Sequence, residues 1–455
     1  MITVYVYNIV EDEWDFLKAC GRSRRLTKEI GVMEDTGDCF FLAEAASETE
    51  FVYVGPKPIS SAFQNYGRSL FPYRFGTVIA PRRRSHRLCL DLIKDKAAWR
   101  RLVSLLKPYR QVKLISYCAS PQFYQLKEVL LRAGLKVSTP QAPAPQKSWT
   151  VKFLGSKSGI RQLCPQFLPA GLICSDPGQA GEIAAQKYLQ NRGVVIKTNK
   201  GNGGTGVLIF RPNDLPDNFS ACLAKLKTIL GRKPYWKKFP IIVEDLIDVD
   251  TAISGGFPDV EFEIKANGRA EMLFHGIMII TKKGEYYGMD VNAYILPRRL
   301  KTQMLKMGNF IARRYGDLGY RGHFDVDMIA SKTGRLYVSE TNTRNTGWTD
   351  VCKVAKRLIG PGWLNRVYVL NRDDFSLPKG RWGNLNRLLK TLRPVLYSPQ
   401  TKAGVIVSSE KSLKRNYLYY TVIGPDKTTA YAYKRRLTRL LQRPLAHRIH
   451  EHPLQ

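Results

Sequence analysis

The chain has 455 residues, 72 Lys and Arg against 38 Asp and Glu for a formal charge of +34, and 44% apolar residues. That length and apolar content suffice for two or three domains with sizeable cores. Met1–Val10 runs straight into EDEWD and no apolar run nears the ~20 residues that cross a bilayer, so neither a cleaved leader nor a membrane span is expected. The cysteines at 20, 39, 89, 118, 164, 174, 222 and 352 are scattered without a CxxC pair, which fits a reduced, cytoplasmic protein better than a disulfide or zinc framework. Residues 366–455 carry 18 basic and 5 acidic side chains, 18 − 5 = +13, so this region attracts anions, an acidic macromolecular partner among them.

From the start to residue 148 the pattern is an α/β domain with a largely parallel sheet. TVYVYNIV, CFFLAE, FVYVG, GTVIAP and VKLISYC read as short buried strands. LCLDLIKDKAAWRRLVSLL has helical spacing, and Ser120-Pro121 opens another helix that Gly134 closes. No glycine-rich fingerprint follows the first strand, so a dinucleotide site is not indicated. Arg82, Arg83 and Arg84 read as an exposed loop that could also grip a phosphate. The proline-rich TPQAPAPQKS ends the domain.

Residues 149–360 form the second domain, with subdomains 149–240 and 241–360. Lys157 opens a helix, and Ser175 with Pro177 starts the next. In VVIKTNKGNGGTGVLIF two strands flank a glycine loop. Gly201, Gly203, Gly204 and Gly206 allow positive φ and close backbone approach to an anion, with Lys197 and Lys200 beside them. The alternative is a mobile turn. No GK[ST] with a following helix appears, so this is not a P-loop. PIIVEDLIDVD is an apolar strand ending in Glu244 and Asp245, with Asp248 and Asp250 just beyond; it suits nucleotide hydroxyls or simply a solvated strand end. A hairpin turning at Asn267-Gly268 and a long helix follow.

HFDVDMIA and RLYVSETN then form a hairpin around SKTG. A two-residue loop at Thr333–Gly334 sets Asp327 opposite Glu340 and Asp325 opposite Asn342, on one face. That face is either a solvated acidic surface or a site for a hard cation. Residues 361–455 read as a small basic α+β region. Its KRNYLYY, like PYWKKF earlier, suits either nucleic-acid stacking or an ordinary core. His275 and His323 read as satisfied core residues.

IKTNKGNGGTGV, VEDLI and DVDMIASKTGRLYVSETNTR, in that order, resemble the ATP-grasp ligases, most closely the pheganomycin-type peptide ligases. The resemblance covers residues 157–349 and implies a pre-ATP-grasp α/β domain followed by two α+β subdomains that sandwich ATP. It implies Lys157 and Lys197 on the phosphates under the 201–206 loop. Glu244, Asp245, Leu246 and Ile247 would hold adenine, with the ribose on Asp248 or Asp250. Asp327, Glu340 and Asn342 would hold two Mg²⁺ ions, Mn²⁺ being an alternative. Arg344 would stabilise an acyl phosphate or bind the acid substrate, assisted by Lys200. The implied reaction is ATP-dependent amide formation between an amino acid or small acid and an amine or peptide. An ATP-grasp kinase acting on a polyanion, and a nucleic-acid-binding protein with a vestigial nucleotide site, are the competing readings. Asp325 departs from relatives that carry arginine there; either it binds metal itself or Arg321 or Lys200 supplies the missing cation.

Overall fold

The computed structural model describes residues 1–21, 24–73, 75–202, 204–253, 255–281, 286–380 and 382–441. Five short strands near the start form a parallel sheet: Ile2–Val6 (β1), Glu50–Val54 (β2), Phe75–Ile79 (β3), Val112–Ser116 (β4) and Val137–Ser138 (β5). Their order is β3-β2-β1-β4-β5. The order reverses beside β1, and the chain leaving β1 enters helix α1, Ile9–Ala19, at the carboxyl edge where such sheets place ligands.

The sequence reading of this domain needs two corrections. CFFLAE is not a strand but lies in the helix Gly37–Ser47, whose residues are buried on nearly every side. A continuous apolar run carries no period that separates a buried strand from a buried helix. The stretch Leu88–Leu106 is two helices, divided at Asp95, whose carboxylate accepts from Ala97 and Ala98 N–H and so caps the second.

The next sheet has four antiparallel strands, Gly171–Cys174 (β6), Val194–Asn202 (β7), Thr205–Phe210 (β8) and Ile241–Asp245 (β9), ordered β6-β9-β7-β8. The helices Pro177–Asn191 and Phe219–Gly231 cover one face. Asp176, rather than Ser175, caps the first of these through Gly178 and Gln179 N–H. Phe16 and Ala19 of α1 join this core beside Tyr188 and Trp236, so α1 ties the first domain to the second sheet.

The largest sheet is antiparallel and has eight strands. They are Pro258–Ile264 (β10), Ala270–Ile280 (β11), Tyr286–Val291 (β12), Gly322–Ala330 (β13), Leu336–Asn342 (β14), Tyr368–Ser376 (β15), Gly404–Val407 (β16) and Tyr417–Gly424 (β17). The order is β14-β13-β10-β11-β12-β15-β17-β16, so the basic C-terminal region extends the sheet begun by the strands before it. The helix Arg298–Asp317 packs on one face, setting Met304, Ile311 and Tyr315 against Phe262, Phe324 and Val326. Trp348 and Val351 lie with Phe274 and Phe40 in a separate core. Across β12 and β15, Asp290 is bound by Arg372 and accepts from the Tyr368 and Tyr431 hydroxyls, each at 2.8 Å.

Tyr420 of KRNYLYY and Tyr235 and Trp236 of PYWKKF are buried in these cores and are not stacking platforms. No helix among the described residues is long and apolar enough to cross a membrane. Residues 442–455 of the basic region lie outside the described residues.

Candidate functional site

The register of β13 and β14 pairs Asp325 with Asn342 and Asp327 with Glu340, as the hairpin argument requires. The route to that register differs. The loop has three residues, Lys332–Gly334, closed by Ser331 N–H to Arg335 O at 2.9 Å with Gly334 at φ +75°. A bulge then restores the pairing, because Met328 faces Val338 while Asp327 faces Glu340, leaving Ser339 as the extra residue. Before the bulge Leu336 and Val338 face the core; after it Glu340 and Asn342 turn to the opposite face. Thr341 takes over the core side, donating to Leu154 O at 2.8 Å. One inserted residue thus converts a core strand into a wall of the site.

The same face continues into β10, where Asp259 lies opposite Asp327 and Glu261 opposite Asp325. Glu261 is fully occupied in the interior: it accepts from Thr346 and Thr349 hydroxyls and faces His323 Nδ1 at 3.1 Å. The Asn342 N–H and side-chain amide donate to Asp325 at 2.8 and 3.0 Å. Burial pushes Asp325 up to about 7, with Glu261 adding to the rise and Arg344 opposing it. Burial also holds Asp327 well above the usual carboxylate range, helped by Asp325 and Glu340. Glu340 escapes this: burial would raise it, but the Lys157 ammonium paired with it holds it low. Asp325, Asp327, Glu340 and Asn342 offer only oxygen donors on a largely buried face, a chemistry that fits a hard divalent cation.

Lys157, Lys200, Gly201, Glu340 and Asn342 line one cleft. Lys157 sits at the start of the helix Lys157–Leu163, and Lys200 donates to Gly155 O at 2.7 Å. The glycine loop is a tight continuation of β7 and β8 in which Asn202 pairs with Thr205. Gly204 and Gly206 have φ of +82° and +88°, and a Cβ on Gly206 would lie 2.2 Å from the Thr198 methyl. Gly203 lies outside the described residues. Lys197 is buried against Ser339 Oγ at 3.3 Å and is paired with Glu244.

The strand-end carboxylates take other places. Glu244 is 2% exposed and held between Arg161, at 2.6 Å, and Lys197, so its carboxylate is not free for a ligand. Asp245 pairs with Lys187 at 2.6 Å, and Asp248 with Lys332 at 2.9 Å on the surface. Asp250 turns its carboxylate to Ala252 N–H. Leu246 and Ile247 form the half-buried link out of β9. Arg321 binds the backbone carbonyls of Ala266, Gly316 and Tyr320 and does not supply the cation missing at position 325.

Three acidic residues escaped the sequence reading. Asp12 and Glu13 of α1 line the cleft from the first domain. Arg344 pairs with Asp12 at 3.1 Å and approaches Glu13 at 3.8 Å, so its charge is already engaged. Burial and the adjacent Asp12 push Glu13 up to about 7. Nothing in EDEWD announces this placement, since it depends on how α1 meets the second domain. Asp259 was within reach: in PDVEFEI the acids alternate with apolar residues, setting Asp259 on the face of Glu261.

No family model matches the chain, and no curated protein matches it in sequence. Solved structures do match. An ADP complex of N5-carboxyaminoimidazole ribonucleotide synthetase aligns over 96% of each chain at 12% identity and a TM-score of 0.53. The same enzyme from Thermus thermophilus aligns over 97% of this chain and 99% of that one, at 12% identity and a TM-score of 0.53. The biotin carboxylase domain of Hydrogenobacter thermophilus 2-oxoglutarate carboxylase, solved with MgADP, ADP and bicarbonate, aligns over 96% of this chain and 89% of that one at 12% identity and a TM-score of 0.53. These likenesses establish the fold: the chain has the ATP-grasp architecture, with its parallel first sheet and two antiparallel sheets.

Proposed function

We propose that the protein is an ATP- and Mg²⁺-dependent carboxylate–amine ligase that forms an amide bond through an acyl phosphate. One observation carries the reading: Lys157, Lys200 and Gly201 meet Glu340 and Asn342 in a single cleft of an ATP-grasp fold. Phosphates and oxygen-bound divalent cations call for these two chemistries side by side. Lys157 and Lys197 hold the phosphates, and Lys200 neutralises the transferred group beneath the glycine hairpin. Glu244 acts through Lys197, fixing its ammonium rather than touching adenine. The backbone of Leu246 and Ile247 holds adenine, and Asp248 or Asp250 takes the ribose. Asp327, Glu340 and Asn342 hold Mg²⁺, which supplies charge neutralisation at the γ-phosphoryl.

Arg344 reaches Asn342 Oδ1 at 3.4 Å and orients that amide, while Asp12 and Glu13 line the cleft beside it. Carboxylates at that place suit an amine acceptor, an amino acid or peptide. The test is ADP release with and without pairs of amino acids or small acids and amines. Turnover should need both partners, and hydroxylamine should trap the acid as its hydroxamate. ATP turnover indifferent to any acid defeats the ligase reading; label transferred to a stable phosphorylated product replaces it with the kinase.

A further inference from the structure

The acidic face holds a group that the nucleotide reading does not use. Asp259 enters from β10 directly opposite Asp327, and Asp325 lies two residues before Asp327 on the same face. One carboxylate oxygen from each of the three lies within 4.8 Å of the other two. Asp259 and Asp325 are 3% and 5% exposed. Among the described residues none of the three carboxylates forms an ion pair: Lys157 is committed to Glu340, and Arg344 to Asp12. Independently of the pair on β13, the buried Asp259 aims at it from another strand with Oδ1 lacking any hydrogen-bond partner. An unpaired buried carboxylate is costly, and three so close together repel unless a positive ion sits among them.

We propose that Asp259, Asp325 and Asp327 form a divalent-cation site that fills without nucleotide. Three carboxylate oxygens from two adjacent strands suit Mg²⁺ or Mn²⁺ rather than a softer metal. The site lies one strand inward from Glu340 and Asn342. The resident ion supplies the positive charge that Asp259 and Asp325 lack among the described residues. The site shares Asp327 with the proposed ligase site, but its existence does not require ATP.

Mn²⁺ alone is the probe, titrated into the nucleotide-free full chain and followed by the paramagnetic resonance of the free ion. The wild type should sequester Mn²⁺, Asp259→Asn and Asp325→Asn should each weaken binding ~10–100-fold, and Glu340→Gln should leave it within ~2-fold. Melting temperature supplies the control for folding. In EDTA Asp259→Asn should melt at or above the wild type, since one repelling charge is gone, and Mn²⁺ should raise only the wild type. Wild type that leaves Mn²⁺ free, or Asp259→Asn that titrates like wild type, overturns the site. Mn²⁺ binding without any acid- and amine-dependent ATP turnover would sink the ligase and leave this site standing.

Discussion

Glu340 joins the phosphate side of the cleft to the acidic side, because Lys157 grips it from one direction and Asp327 faces it from the other. Glu340→Gln keeps its size and removes its charge, so kcat should fall ~10²–10³-fold with the fold retained, as for loss of one preorganised charge in a reaction centre. Steady-state rates beside a melting curve check this, and near-normal kinetics would remove Glu340 from the site. His275 differs from what its sequence context suggests. It is fully buried, but neither ring nitrogen has a hydrogen-bond partner among the described residues. Burial, with Lys301 nearby, pushes its pKa down to about 4. Between pH 6.5 and 4 the unfolded chain therefore binds a proton that the folded chain refuses. Stability tied to this residue is intact above pH 6.5 and is lost as pH falls toward 4, by about 3 kcal/mol. His275→Met should abolish that part of the acid sensitivity, read as the difference between urea midpoints at pH 7 and pH 4.5. A variant with an unchanged difference would show that the ring is protonated in the fold.

The Ser339 bulge decides which way a whole strand end faces. Deleting Ser339 joins Val338 directly to Glu340 in a regular ladder, and strand alternation then leaves Glu340 and Asn342 on the face of Asp325 and Asp327. The deletion should therefore keep both residues on the site face and cost only ~1 kcal/mol, chiefly the contact that Ser339 Oγ makes with Lys197. Ser339→Ala keeps the extra residue and should lie within ~1 kcal/mol of wild type. Denaturant midpoints compare the two, and a deletion variant ~3–5 kcal/mol less stable than Ser339→Ala would show that Glu340 had been turned into the core. This element also marks the limit of what was legible. Alternation and the turn signal located the hairpin, and the pairing of Asp327 with Glu340 follows correctly from a two-residue loop. The actual loop is a residue longer, and the bulge cancels the difference. Neither feature has a composition that distinguishes it, because Lys332 and Ser339 are ordinary in either arrangement. The glycine hairpin and the helix that Lys157 opens were readable from local pattern, whereas a place for Lys157 in the cleft was implied only by the resemblance. Asp12 and Glu13 were not, since their role arises from the packing of Phe16 into the second sheet's core. Glu244 was misjudged for the same reason: Arg161 and Lys197 reach it only in three dimensions.

Across the whole molecule, charge and architecture point different ways. The +13 region reads as a small basic α+β unit of its own, but Tyr368–Ser376 pairs with Tyr286–Val291 and carries the sheet on through β17 and β16. Arg372, one of its basic residues, is 2% exposed and bound to Asp290. A chain ending at Gly360 should therefore not yield a soluble folded protein, whereas a detachable arm could be removed freely. Size-exclusion chromatography of the truncated chain decides between them, and a monodisperse product would show that β15–β17 are an accessory.

The pairing of β12 with β15 also bears on how the chain is made. Ribosomal synthesis delivers β10 to β14 while β12 still has an open edge, and its partner emerges only after a further helix and turn. Through that interval the nascent sheet offers backbone groups that any passing strand can pair with. Asp290, waiting in β12 for Arg372, Tyr368 and Tyr431, places a buried-to-be carboxylate on that strand. While unpaired it is a charge that discourages a stranger, and once its partners arrive it fastens the strand that belongs there.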